Sequence, residues 1–96
     1  MARIIIQPQT DDNLKSLIKS AVENQLRVIG FGIAKTKRKL GELEKENGMD
    51  SKSFYDEFQK GNLGDDMKYI RWAGEYETLA QLQKDYNELQ GIELCS

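Results

Sequence analysis

The sequence contains no histidine, and its 96 residues include one cysteine and one proline. Histidine is the commonest general base at neutral pH and the commonest nitrogen ligand of metals, so its absence argues against zinc chemistry and histidine-dependent catalysis. Cys95 has no second cysteine to pair with, which predicts a reducing, cytosolic setting. No serine or cysteine stands in a recognisable nucleophile motif. The sequence therefore predicts a non-enzymatic protein without a cofactor or a metal.

Long apolar runs are also missing. The isoleucines at residues 4–6 form a run far shorter than the roughly 20 residues of a membrane-spanning helix or the apolar region of a signal peptide. We therefore expect a soluble, cytoplasmic protein with no membrane partner.

Charge is distributed unevenly along the chain. Residues 1–40 carry a net charge of +5 and residues 41–96 carry −7. Such a division suits a basic arm that meets nucleic acid or an acidic surface, together with an acidic half that meets a basic partner. The alternative interpretation is that both groups of charges lie on solvated faces of helices.

One apolar stripe, here called the seam, dominates the first half of the chain. Its members recur every three or four residues: Val22, Leu26, Ile29, Ile33, Thr36, Leu40 and Leu43. This spacing predicts a coiled-coil-like helix over residues 11–47, about 50 Å long. Gly30 and Gly32 weaken a helix, so a strand over residues 26–34 is the alternative. The helix is preferred because the spacing crosses both glycines unbroken.

The rest of the chain predicts short elements around a second helix. Residues 2–7 are predicted to form a strand within an N-terminal arm, residues 1–10. Asp50 is placed to cap a short helix over residues 50–60, and Gly64-Asp65-Asp66 to open a helix over residues 65–90. Residues 92–95 can pair with the first strand. The predicted fold is one mainly α domain, a helical hairpin with a short connecting helix and short terminal strands.

The last predicted helix carries the candidate partner-binding residues: Tyr69, Trp72 and Tyr76 on one face, with Asp65 and Asp66 at its start. The aromatic face has two interpretations. It can be core packed on Phe54 and Phe58, or a docking surface, since tyrosine and tryptophan are common interface anchors.

A dense basic cluster is the candidate nucleic-acid contact, formed by Lys35, Lys37, Arg38 and Lys39. Such residues can bind phosphates. Nucleic-acid binding is nevertheless the less favoured interpretation, because no aromatic or amide residues interleave to read bases and Glu42, Glu44 and Glu46 follow at once.

Several segments resemble small prokaryotic antitoxin-like proteins of toxin-antitoxin gene pairs. The similarity runs from about residue 32 to residue 94 and rests on residues 44–49 (EKENGM), 61–66 (GNLGDD) and 72–76 (WAGEY), with Phe54 and Phe58 between them. The resemblance implies a protein that neutralises a co-encoded toxin by direct binding. It brings no catalytic residues or cofactor.

Two other functions remain open, a small nucleic-acid-binding regulator and a structural oligomerisation protein. In each case the long helix predicts self-association, because its far end is expected to have few partners within the chain.

Overall fold

The computed structural model describes residues 3–5 and 12–95. They form two short strands and three helices: β1 (Arg3–Ile5), α1 (Asp12–Asn47), α2 (Ser51–Gln59), α3 (Met67–Gln90) and β2 (Glu93–Cys95). The predicted mainly α hairpin is confirmed, with helix ends within two residues of those expected. Residues 1–2 and 6–10 of the predicted arm, residue 11 of the predicted long helix, and residue 96 lie outside the described residues.

α1 is one continuous helix through residues 26–34, so the alternative strand is wrong. The reason is the seam. Ile29, Thr36 and Leu40 are buried, and the other four seam residues are half-buried, while the charged residues between them are exposed. A strand would turn alternate residues to opposite sides and separate this set.

α3 runs antiparallel to α1 and covers the seam. Lys39 Nζ lies 3.5 Å from Glu75 Oε1 near one end. In the middle, a Cβ atom built on Gly32 would lie 3.3 Å from Leu82 Cδ1, so the helices approach closely there. Towards the other end, Val22 lines a groove together with residues 90 and 92. The seam therefore packs within the chain from Val22 to Leu43. Of the first ten residues of α1, only Ile18 is half-buried and the rest are exposed. The self-association expected from this end of the helix stays a prediction.

Local side chains and glycines define the ends of the helices. The Asp50 carboxylate accepts a hydrogen bond from the Ser53 backbone N–H at 2.7 Å, so the predicted cap of α2 is confirmed. In the segment predicted to open the last helix, the Asp66 carboxylate accepts a hydrogen bond from Lys68 N–H at 2.9 Å and caps α3. Gly61 ends α2 with φ +76°. A left-handed residue at this position suits glycine, which carries no Cβ.

The best-buried core lies where α2 crosses the hairpin. It consists of Leu40, Phe54, Trp72 and Ala73. The rings of Phe54 and Trp72 stack with centroids 3.9 Å apart and an interplanar angle of 4°. At the opposite end, β1 and β2 form the predicted pair of terminal strands, which is parallel, with Ile4 opposite Leu94. The molecule is elongated, with principal extents of 59 × 22 × 18 Å.

Candidate protein-binding surfaces

Trp72, one of the predicted partner-binding residues, lies inside the core. Only 1% of its surface is exposed. Its indole Nε1 donates a hydrogen bond to Ser51 Oγ at 2.9 Å, and its ring stacks on Phe54. Of the two interpretations of the aromatic face, the structure supports core packing for this residue. A partner could touch the indole only after α2 had moved away.

Tyr69 and Tyr76 lie at the edge of the same core and are half-buried. The Tyr69 ring is 5.8 Å from that of Phe54, and Lys68 Nζ lies 5.1 Å from the Tyr69 ring centroid. The Tyr76 ring is 4.8 Å from that of Tyr55. Each tyrosine therefore packs inside the chain while part of its surface remains accessible, as is common for residues at the rim of an interface.

Asp65 and Asp66 are both exposed where the chain enters α3. The Asp66 side chain caps the N-terminus of α3, whereas Asp65 precedes it in the loop. Two carboxylates at the positive end of a helix dipole are favourable in the free protein. They also give this end of α3 a negative rim.

Sequence analysis missed two apolar side chains that begin α3. Met67 is 60% exposed and Ile70 is 45% exposed. They are three residues apart and therefore share one face of the helix. We call Asp65, Asp66, Met67 and Ile70 the α3 entry patch. The sequence already indicated this exposure, because helical spacing places Met67 and Ile70 outside the stripe formed by Tyr69, Trp72 and Tyr76.

The basic cluster is exposed throughout: Lys35, Lys37, Arg38 and Lys39. Lys39 forms the ion pair with Glu75 described above, which links α1 to α3. Lys35, Arg38 and Lys39 are three and four residues apart and share one side of α1, whereas Lys37 points in a different direction.

A shallow groove of about 390 Å³ lies beside the start of α2, and its lining includes Lys37, Glu44, Asp50 and Lys52. A helix N-terminus attracts anions, but two carboxylates of the chain already occupy this one. Glu44 Oε2 accepts a hydrogen bond from the Ser51 backbone N–H at 2.8 Å, and Asp50 accepts one from Ser53 N–H. The latter bond holds the pKa of the Asp50 carboxyl below its usual value of 3.8.

Within residues 3–5 and 12–95, no group of three or more Asp, Glu, Cys or His residues is placed to hold a metal ion. Over the same part of the chain, none of the helices combines the length and the apolar character needed to cross a membrane.

Comparisons with protein-family models, with curated proteins and with solved structures found no match for this chain.

Proposed function

We propose that this chain is a non-enzymatic protein-binding module, an antitoxin-like partner that binds the product of a neighbouring gene directly. The supporting observation is the α3 entry patch, in which the exposed apolar residues Met67 and Ile70 adjoin the carboxylates Asp65 and Asp66. Apolar anchors supply binding energy once water is excluded around them. The acidic rim favours a basic partner and speeds encounter with it.

The negative charge of residues 41–96 extends this preference to the whole second half of the chain. Long-range attraction raises the rate at which a basic protein meets the surface, and the apolar pair then slows its release. Tyr69 and Tyr76, each half-buried at the core edge, can add partial contacts. Trp72 contributes indirectly by fixing the position of α3 on α2.

The test is co-purification of the full chain with the product of the adjacent gene, combined with rescue of cells from that product's toxicity. We expect Ile70→Lys to weaken the complex at least tenfold, since it places a positive charge where a basic partner approaches. Thr78→Lys is the matched control, because Thr78 is also exposed on α3, about two turns away.

Both variants should retain the parent's circular dichroism spectrum and melting temperature, since both positions are exposed. Equal binding by the parent and Ile70→Lys would remove the α3 entry patch from the proposal. Absence of a toxic neighbour, or of any complex with it, would remove the antitoxin-like function.

A further inference from the structure

α1 carries a second apolar stripe that the chain's own helices leave exposed. Its members alternate by three and four residues: Leu14, Leu17, Ala21, Asn24, Val28 and Phe31. We call this set the outer stripe. Leu17, Val28 and Phe31 are 58%, 54% and 70% exposed, and Leu14 is 45% exposed. The spacing is that of a heptad repeat, in which such positions contact a second helix.

The outer stripe and the seam lie on different sides of α1. At 3.6 residues per turn, the centre of the outer stripe lies roughly 130° around the helix from the centre of the seam. α3 covers the seam. A helix docked on the outer stripe therefore approaches α1 from another direction and requires no movement of α3.

We propose that a second copy of this chain binds the outer stripe, with the two α1 helices antiparallel. The resulting interface is a two-fold contact between identical surfaces, and it is separate from the α3 entry patch. The proposed dimer can therefore be tested independently of the proposed function.

The stripe is complementary to itself in the antiparallel orientation. A two-fold axis between Ala21 and Asn24 places Leu14 opposite Phe31 of the second copy, Leu17 opposite Val28, and Ala21 opposite Asn24. A two-fold contact requires that residue i meets residue j and residue j meets residue i, which this arrangement provides at every step. Large residues meet large ones towards the ends, and the small Ala21 leaves room for the Asn24 amide at the centre.

Asn24 is the polar residue at the centre of the stripe. Its Oδ1 accepts a hydrogen bond from Arg27 Nη1 at 3.1 Å, one turn further along α1. The amide nitrogen of an asparagine carries two N–H donors, which can face the second copy beside Ala21. A single asparagine in such an interface lowers stability but selects one register. Asn24 therefore favours the register in which it meets Ala21 over one in which it meets a large apolar residue.

Charge favours the same orientation. In a parallel pair, Lys35 and Arg38, which continue the heptad spacing beyond Phe31, would each lie beside their own copies. Like charges placed together at a helix interface are destabilising. In the antiparallel pair, Lys35 and its copy are about 35–40 Å apart along the helix axis. That separation exceeds the screening length of about 8 Å at physiological salt.

The positions that flank the outer stripe carry few charges that would repel a second copy. Ile18, Gln25 and Gly32 border it on one side, and Ser20 and Arg27 on the other. Only Arg27 among them is charged, so few like-charge contacts can form between two copies.

The area buried in the interface determines the expected affinity between the two copies. From Leu14 to Phe31 the stripe is about 26 Å long. Two copies covering each other bury on the order of 1,000 Å², near the lower limit for a specific interface. The fraction of dimer should therefore rise with protein concentration, with a dissociation constant in the micromolar range.

Sedimentation equilibrium of the full chain tests the proposal. We expect the average mass to rise from the 11.0 kDa of one chain towards twice that value between about 1 and 100 µM protein. Phe31→Glu and Leu17→Glu should each weaken dimerisation at least tenfold and leave the helical signal unchanged, because both residues are exposed. Ser16→Glu, an exposed position outside the stripe, should have little effect.

Three results would overturn this proposal: a single 11.0 kDa species at about 100 µM, dimers that survive both stripe variants, or an equal loss of dimer affinity in Ser16→Glu.

The orientation of the two α1 helices is tested by disulfide formation in a Cys95→Ser background. A Leu17→Cys chain should cross-link to a Val28→Cys chain when the two are mixed. Efficient cross-linking of each variant with itself and not with the other would establish a parallel pair instead.

Discussion

Replacing Ser51 by alanine should lower the free energy of unfolding by about 1–3 kcal/mol, which is the usual cost of leaving a buried polar group without its partner. Trp72 Nε1 donates to Ser51 Oγ at 2.9 Å, and the two residues are 1% and 4% exposed. The substitution therefore leaves a buried indole N–H without its acceptor. The Ser51 backbone N–H keeps its bond to Glu44, because the substitution leaves the main chain intact.

The size of this effect is measurable in so small a chain. Total stability is expected to be about 5–14 kcal/mol at the usual value per residue. Each kcal/mol lost should lower the melting temperature by about 4–8 °C. Trp72 is the only tryptophan, so urea unfolding followed by its fluorescence reports directly on the core, and circular dichroism reports on the helices.

A double-mutant cycle assigns the loss to the hydrogen bond. Trp72→Phe removes the indole N–H, so adding Ser51→Ala to that variant should cost far less than in the parent, with a coupling of at least about 1 kcal/mol. Ser16→Ala is the control and should stay within about 0.5 kcal/mol, because Ser16 is exposed. An equal cost of Ser51→Ala in both backgrounds would refute the reasoning.

Two further predictions concern helix glycines and pH. Gly30→Ala should raise the free energy of unfolding by about 0.5–1 kcal/mol, since the new methyl group meets open space within a helix. Gly32→Ala should gain less, because its Cβ would lie 3.3 Å from Leu82 Cδ1; equal gains in thermal melts would contradict the close approach. The bond from Ser53 N–H lowers the pKa of Asp50 in the folded state, so its stabilising contribution is complete above pH 3.8 and is lost as the pH falls through the lowered pKa. Asp50→Asn keeps a capping side chain and should flatten this acid dependence in urea titrations; an unchanged dependence would exclude Asp50 as its source.

Local features were predictable from the sequence because they depend on neighbouring residues. Asp50 and Asp66 cap helices by accepting bonds from N–H groups two or three residues away, and Gly61 ends α2 through its own backbone conformation. The continuity of α1 was also predictable, since the seam repeats at helical spacing over its whole length. These features require no knowledge of what packs against the helix.

The candidate binding residues were predicted less well, because exposure depends on how the helices are rotated against one another. Helical spacing placed Tyr69, Trp72 and Tyr76 on one face, but spacing along one helix does not determine whether α2 covers that face. α2 buries Trp72 completely, and the same packing leaves Met67 and Ile70 exposed.

The sequence by itself determined which side chains share a face of each helix, where the helices begin and end, and how charge divides between the two halves. Only the tertiary structure decided what covers each face. The seam and the outer stripe both have coiled-coil spacing, yet α3 packs on the seam and leaves Phe31 in solvent. Periodicity along a helix is a property of the chain alone, whereas burial depends on which surface is brought against it in space.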